Sequence, residues 1–283
     1  MRSVVLELKR EIERFFGVQK QEINKFKNLG GSNWVYSFIL EDHKYVIKKL
    51  NDTSIVNWEH EKDVYNVLKP FNITDELVYY DNGIKITKFI DKSKELKNTE
   101  SDMIDAFDKM RMIHESGVSI KYNYDIIENI NEYIKRCNKK SKRFTELRKY
   151  QNRINTIQTM LNKLSIPPVL CHGDACTAVN FLRLPDGSIR IIDWEHAGMA
   201  DPLLDIAIAA IHQDFDNVDP VCCLHQYLKR IPEKQEYFRL FSFLALESYE
   251  SVARCLYADP KNYKYYLNSA IKYSELVFNY YRE

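Results

Sequence analysis

The sequence has almost no net charge, no long apolar run and no regular cysteine pattern. Its 41 lysines and arginines stand against 40 acids, a formal charge of +1. Such a chain lacks the bulk field that holds nucleic acid or an anionic membrane surface, and neither is an expected partner. Any anion must be bound locally. No stretch approaches the roughly 20 apolar residues of a membrane span. The opening "MRSVVLELKREIERFF" reads as an amphipathic helix, without the apolar core of a secretory signal. No membrane span is expected, and the cytoplasm is the expected compartment. The six cysteines, Cys137, Cys171, Cys176, Cys222, Cys223 and Cys255, include a vicinal pair and keep no regular interval. That argues against a disulfide framework and for reduced thiols. Cys171, His172 and Cys176 have no second ligand pair at zinc-finger spacing, so zinc is not expected. Repeats and low-complexity tracts are missing too.

The 283 residues suffice for one large domain or two packed lobes. From about Asn24 to Ile90 the texture is that of strands: "FKNLGGSNWVYSFIL", "KYVIKKL", "ELVYYD" and "IKITKFI", with turn signals at Gly30-Gly31, Asp42-His43 and Asn82-Gly83. One helical segment, "TSIVNWEHEKDVYNVLKPF", interrupts them, with Asp52 or Thr53 as its cap and an end near Pro70. The expected order is three strands, a helix and two strands. Beyond Asp91 long helical patterns take over, at Ser101 to Glu115, Asp125 to Cys137, Thr145 to Leu164 and Pro202 to His212. Among them "PPVLC", "NFLRL" and "SIRIID" are short apolar runs, the last two joined by the turn Pro185-Asp186-Gly187. The expected fold class is α+β, with a small antiparallel-sheet lobe over 1–90 and a mainly helical lobe over 91–283.

The polar groups at the ends of these short strands suggest chemistry. Asp174, in "HGD" after a buried strand, can accept the proton of a substrate hydroxyl. Asn180 and Asp193 add two hard oxygen donors, a set that suits Mg²⁺. Gly30-Gly31-Ser32, at a strand-to-strand turn, allows backbone N–H groups close to a phosphate. Lys48 can reach a phosphate from its strand, and Glu61 on the following helix can pair with it. Lys49 competes with Lys48, because adjacent strand residues face opposite ways, and Glu59 competes with Glu61. Base, metal, phosphate grip and lysine clamp are the parts of phosphoryl transfer.

"HGD" with a following Asn and then "IDWEHAGMADPLLDIA" resembles the choline kinase and aminoglycoside phosphotransferase superfamily, and most of all the bacterial choline kinases. The resemblance covers nearly the whole chain and implies a two-lobed protein-kinase-like fold. It makes Asp174 the catalytic base and gives Asn180 and Asp193 to Mg²⁺. Lys48 and Glu61 become the phosphate-orienting pair, and Gly30, Gly31, Ser32 and Asn33 the loop over the nucleotide. The backbone of Lys88 and Ile90 in "ITKFI" becomes the adenine contact, and His172 braces the catalytic loop. Independently of the family, Asp201 before Pro202 reads as a helix N-cap. One departure stands out: Asn180 lies six residues after Asp174 where the family pattern has five. Either the loop bulges by one residue or the ligand differs. Residues 175 to 179 offer no carboxylate or amide, which keeps Asn180 in place.

ATP and a small-molecule alcohol are the expected partners, and choline is the expected acceptor. A quaternary ammonium needs an aromatic cage with acids nearby. Related choline-phosphorylating enzymes tend to carry tryptophans in the C-terminal helices. Here the three are Trp34, Trp58 and Trp194, so a cage would draw on Trp194 with Tyr249 or Tyr257, and on Glu195 as an acid. "HGDAC" also echoes aminoglycoside 3'-phosphotransferases, for which Asp214, Asp216, Asp219, Glu247 and Glu250 would form an acidic rim. A nucleotide-binding pseudokinase is a further alternative. A eukaryotic-type protein kinase is disfavoured, because "HGD" runs to "IDWE" with no "DFG" and no "APE" segment.

Overall fold

The computed structural model describes residues 2–30, 33–50, 58–97, 99–175, 177–212, 219–258 and 260–282. In chain order the first elements are α1 (Arg2–Phe16), β1 (Asn24–Asn28), β2 (Trp34–Leu40), β3 (His43–Lys49), α2 (Glu61–Leu68), β4 (Leu77–Asp81), β5 (Ile84–Lys88) and β6 (Lys94–Glu95). There follow α3 (Glu100–His114), α4 (Ile126–Arg136), α5 (Lys142–Arg148), α6 (Gln151–Leu161), β7 (Val169–Cys171), α7 (Thr177–Asn180), β8 (Phe181–Arg183) and β9 (Ile189–Ile191). The chain closes with β10 (Gly198–Ala200), α8 (Leu203–His212), α9 (Pro220–Leu228), α10 (Lys234–Tyr257) and α11 (Tyr263–Arg282). Two compact units result: Met1–Lys94 with Leu182–Glu195, and Glu95–Phe181 with His196–Glu283. No described helix is long and apolar enough to cross a membrane.

The first unit is an antiparallel sheet in the order β1-β2-β3-β5-β4, the three-then-two strand arrangement expected from the sequence. Its register explains its two faces. Tyr36, Ile47 and Ile86 lie opposite one another across β2, β3 and β5. They build one apolar layer with Phe38, Leu40 and Ile84, which Leu8 and Ile12 of α1 cover. Fully burying an Ile or Leu side chain contributes about 1.5–3 kcal/mol, so this layer anchors α1. One position along, the register sets Lys48 directly opposite Lys85 on the other face, and both lysines are buried. The proposed caps Asp52 and Thr53 lie outside the described residues; α2 begins at Glu61 and ends at Leu68, two residues before Pro70. The β9 strand is tied in through Ile191, whose N–H donates to the Ile73 carbonyl at 2.7 Å.

The second unit is built on α10, which is buried without a break from Phe238 to Ala253 and packs on α4, α6, α8 and α11. A helix buried all round must satisfy its polar side chains internally. Ser242 and Ser248 do so by donating to the Phe238 and Leu244 carbonyls, at 2.7 and 2.6 Å. The pattern expected as one helix from Thr145 to Leu164 is two, α5 and α6. At the break the buried Tyr249 hydroxyl lies 3.2 Å from the Leu147 carbonyl, which also accepts from the Tyr150 N–H at 3.1 Å. At the start of α8, Asp201 accepts from the Leu203 N–H at 2.9 Å, the cap its sequence position suggested.

Candidate active site

Lys48 is 7% exposed, and its ammonium lies against the carboxylates of Asp193 and Glu195, with Glu195 Oε2 at 2.6 Å. Burial alone would depress its pKa, but Asp193, Glu195 and Glu61 together outweigh that and hold it above the ordinary lysine value. It is therefore a permanent cation. Asn33 completes the group by donating to both Glu195 oxygens at 3.0 and 3.2 Å. Asp193 is the member still open to solvent, with 34% of its side chain exposed. Its backbone lies in the left-handed region at φ +70°, which an L-residue adopts only where the surroundings hold it. Lys49 faces the other way and pairs with Glu7 of α1.

Glu61 is the buried acid of its helix, whereas Glu59 is exposed. Its direct partner is not Lys48: it pairs with Lys85 and accepts from the Tyr80 hydroxyl at 2.9 Å. The Lys85 ammonium also lies 3.3 Å from the Tyr65 hydroxyl, which donates to Asp75 Oδ1 at 2.8 Å. The cross-strand register is the reason. It sets two buried lysines opposite one another, and each needs its own acids to stay charged. Burial lowers the Lys85 pKa, yet Glu61 foremost, with Asp193 and Asp75, raises it overall, against the opposing charge of Lys48. Nothing local to "IKITK" marks Lys85, because its partners come from α2 and from β3, which lies beside it in the sheet.

In the second unit a buried carboxylate shapes the "HGD" loop. Asp205 accepts from the backbone N–H groups of His172 and Gly173 at 2.7 and 2.9 Å, and from His114 Nε2 at 3.1 Å. His114 Nδ1 in turn is hydrogen-bonded to the Tyr227 hydroxyl at 2.8 Å. Burial pushes the Asp205 carboxyl up, but the His114 hydrogen bond and charge, with His172, bring it below the usual carboxylate range. Gly173 has φ +75°, and a Cβ there would lie 2.2 Å from the His196 carbonyl oxygen, so only glycine fits. The buried trio His114, Cys171 and Asp205 has the closeness of metal ligands, but Asp205 is already committed to two N–H groups and a histidine. Its role is structural. The His172–Cys176 arm of the zinc reading ends on a residue outside those described.

Asp174 is half-buried at the end of this loop, and its N–H donates to His172 Nδ1 at 3.2 Å. Burial raises its pKa, but His196, His172, His212 and Arg254 lower it further than burial raises it. At neutral pH it is a carboxylate, able to accept a proton. The six-residue spacing to Asn180 is taken up by the single turn α7, which brings the Asn180 side chain back onto Asp174. Its Nδ2 donates to the Asp174 carbonyl at 2.8 Å and to Oδ2 at 3.1 Å. With the amide nitrogen committed there, the amide oxygen is the atom left for a cation.

The charge of Asp174 also acts on Glu247 and Glu250, two members of the acidic rim suggested by the sequence. Glu247 of α10 accepts from His212 Nε2 at 2.8 Å. Arg254 Nη2 donates to Ser251 at 3.2 Å, and Asp174, Glu247 and Glu250 all act on the Arg254 charge. The spacing Glu250-to-Arg254, one helical turn, was the available signal.

The remaining expected residues fall as follows. Gly30 takes φ +85°, and its N–H donates to Asn28 Oδ1 at 2.6 Å; Gly31 and Ser32 lie outside the described residues. The Lys88 N–H donates to the Glu76 carbonyl at 2.9 Å, and the Ile90 carbonyl accepts from Ser93 at 2.8 Å. Trp194 is fully buried, its indole N–H donating to the Ile191 carbonyl at 2.9 Å. Tyr249 is also fully buried and directs its hydroxyl to Leu147 and Gln151. These two aromatics are packing residues, not cage walls, because neither offers a ring face to a ligand. Glu195 serves Lys48. Tyr257 is half-buried beside Tyr133 and Arg136. Of the suggested acidic rim, Asp214 and Asp216 lie outside the described residues, and Asp219 caps α9.

The model of the choline/ethanolamine kinase family matches residues 30–256. The chain belongs to the choline/ethanolamine kinase family. Among curated proteins, this family member is 23% identical over 208 residues to Protein LicA of Haemophilus influenzae, covering 69% of this chain. It spans 60% and 64% of the lengths of the two LicA proteins it matches. Among solved structures it is similar to choline kinase LicA from Streptococcus pneumoniae, with TM-score 0.76, 19% identity and coverage of 98% of this chain and 99% of that one. It is also similar to an ethanolamine kinase of Plasmodium vivax, with TM-score 0.71, 17% identity and coverage of 96% and 88%. These likenesses establish the kinase-like fold of the family member.

Two outcomes test this geometry. Lys85→Met strands Glu61 as a buried unpaired charge and is expected to cost about 3–5 kcal/mol in urea unfolding, whereas Lys85→Met with Glu61→Leu costs clearly less. Equal losses would dissolve the pair. Asp205→Asn turns an acceptor toward two N–H groups into a partial donor and is expected to cost about 1–3 kcal/mol at pH 7. Because the folded Asp205 pKa is depressed, its contribution is complete above the unfolded value of about 3.9 and fades as pH falls through the folded one. The gap between the two proteins therefore narrows below about pH 4, as a pH series of unfolding curves would reveal.

Proposed function

We propose that this chain transfers the γ-phosphoryl group of ATP to the hydroxyl of a small amino alcohol of the choline/ethanolamine type. The observation that carries the reading is the braced Asp174 carboxylate, ionised and held by Asn180, in a chain of this family. The acceptor hydroxyl oxygen bonds to the γ-phosphorus as the bond to the β–γ bridging oxygen breaks. ADP departs, and the hydroxyl proton passes to Asp174.

Lys48 is the cation for the phosphates, and the Lys88 carbonyl with the Ile90 N–H are the hinge groups for adenine. Asn180 and Asp193 offer one amide oxygen and one carboxylate, hard donors of the kind Mg²⁺ takes. The Lys48 ammonium already resting on Asp193 supports a cation-binding role for that carboxylate. The metal, when bound, would neutralise phosphate charge. Gly30 and Asn33 belong to the loop over the phosphates, and Glu61 acts through Lys85 and by its charge on Lys48. An aminoglycoside acceptor has less support, since two members of its rim serve other purposes: Asp219 caps a helix and Glu247 binds His212.

A thermal-shift titration should show stabilisation by ATP that grows with magnesium, about 2.7 kcal/mol at a hundredfold excess over Kd, and Asp193→Ala should remove the magnesium-dependent part. Equal shifts in both proteins would refute the metal assignment. For the base, Asp174→Asn should lower turnover about 10²- to 10⁴-fold with ATP affinity nearly unchanged. An ADP-release assay against choline, ethanolamine and aminoglycosides reads both. Full activity of Asp174→Asn would remove this loop from the reaction.

A further inference from the structure

Glu247 and Glu250 are three residues apart on α10 and so share one face of it. Both are buried, at 3% and 6% exposure, and they differ in how they are satisfied. Glu247 accepts from His212 Nε2 at 2.8 Å and from the Ser251 hydroxyl at 3.4 Å. Glu250 Oε2 has no hydrogen-bond partner. Arg254, one turn further, spends its Nη2 on Ser251 at 3.2 Å and lies 3.4 Å from His212 Nε2, and it makes no hydrogen bond to Glu250 Oε2. A buried acceptor left unmade costs about 1–3 kcal/mol, and more when charged. Burial first, then Glu247 and Asp174, push the Glu250 carboxyl well above the usual range, against the single opposing charge of Arg254. One buried carboxyl oxygen of this group, Glu250 Oε2, thus has no hydrogen-bond partner.

We propose that Glu250 is the acceptor-binding residue that determines specificity, selecting amino alcohols whose ammonium carries N–H donors over quaternary choline. The inference rests on the amino-alcohol kinase reading above. In this proposal Asp174, whose charge acts on Glu250, takes the hydroxyl end of such a substrate and Glu250 its ammonium end. An ammonium with N–H groups supplies what Glu250 lacks, a donor to Oε2, and a positive charge that favours its ionised form. A trimethylammonium supplies the charge alone and leaves Oε2 unpaired. The aromatic alternative is poorly provided for: the chain has tryptophan only at Trp34, Trp58 and Trp194, none on α8 to α11. Among the described rings, Tyr124 and Tyr133 share the field of the two glutamates. A cation–π contact, worth about 0.5–2 kcal/mol where a ring faces the cation, favours primary and quaternary ammonium alike. The discriminating contact is the hydrogen bond.

The test is a series of acceptors with constant charge and falling donor count: ethanolamine, N-methylethanolamine, N,N-dimethylethanolamine and choline, all cationic at neutral pH. In the ADP-release assay with wild-type protein, kcat/KM is expected to fall along the series by about 10- to 100-fold, the equivalent of one charge-assisted hydrogen bond. The largest single step is expected where the last N–H is lost. Glu250→Gln, nearly the same size, should compress the ratio of ethanolamine to choline at least fivefold while the KM for ATP stays put. The wild-type series decides even if that variant folds poorly. Choline turned over as well as ethanolamine, or better, overturns the assignment of Glu250 and leaves the kinase reading standing. ADP release with none of the four overturns the amino-alcohol reading and this inference with it.

Discussion

Asp205 has almost no contact with water, and the conformation of the "HGD" loop depends on it. Its two oxygens hold the N–H groups of His172 and Gly173 and the ring of His114, so the chain must turn there with Gly173 at positive φ. Asp174 follows directly and inherits its direction from that turn. Because burying a carboxylate is costly unless it is hydrogen-bonded, the loop and its brace stabilise one another. The same rule accounts for His114 and Tyr227, which serve no substrate but complete the acid's surroundings.

In the first unit the rule acts through strand register. Lys48 and Lys85 face one another across β3 and β5, an arrangement that repels unless acids separate the charges. Asp193 and Glu195 serve the first lysine, Glu61 the second. The family resemblance implied one lysine with one glutamate; the structure has two lysines with three acids. A slip of one residue in β3 would turn Lys48 toward the apolar layer under α1 and dismantle both faces together.

The acids near Asp174 follow another economy. Glu247 and His212 satisfy each other, while Glu250 keeps an unpartnered oxygen in a buried setting. Such a group is unfavourable in the free protein and favourable once a cation with a donor arrives, which makes it a means of discrimination as well as of affinity. Tryptophan cages and glutamate acceptors solve the problem of binding a small cation by different physics, one by ring quadrupoles and the other by donated hydrogen bonds.

The sequence by itself determined the strand-and-helix division, because periods of two and of 3.6 are written in the spacing of apolar residues. It also carried Asp174, Asn180, Asp193 and Lys48 as candidates, since these belong to short segments whose residue order limits where they can point. Tertiary structure alone decided the rest. Whether Glu61 meets Lys48 or Lys85 depends on a register between strands some forty residues apart in the chain, which no local pattern encodes. Trp194 and Tyr249 were legible as aromatics, but only packing could place them fully buried and so take them out of the acceptor contacts. Glu250 lies on a helix that reads as half polar and is buried throughout its middle. Its significance arises from what surrounds α10 on every side, and those neighbours come from all along the chain.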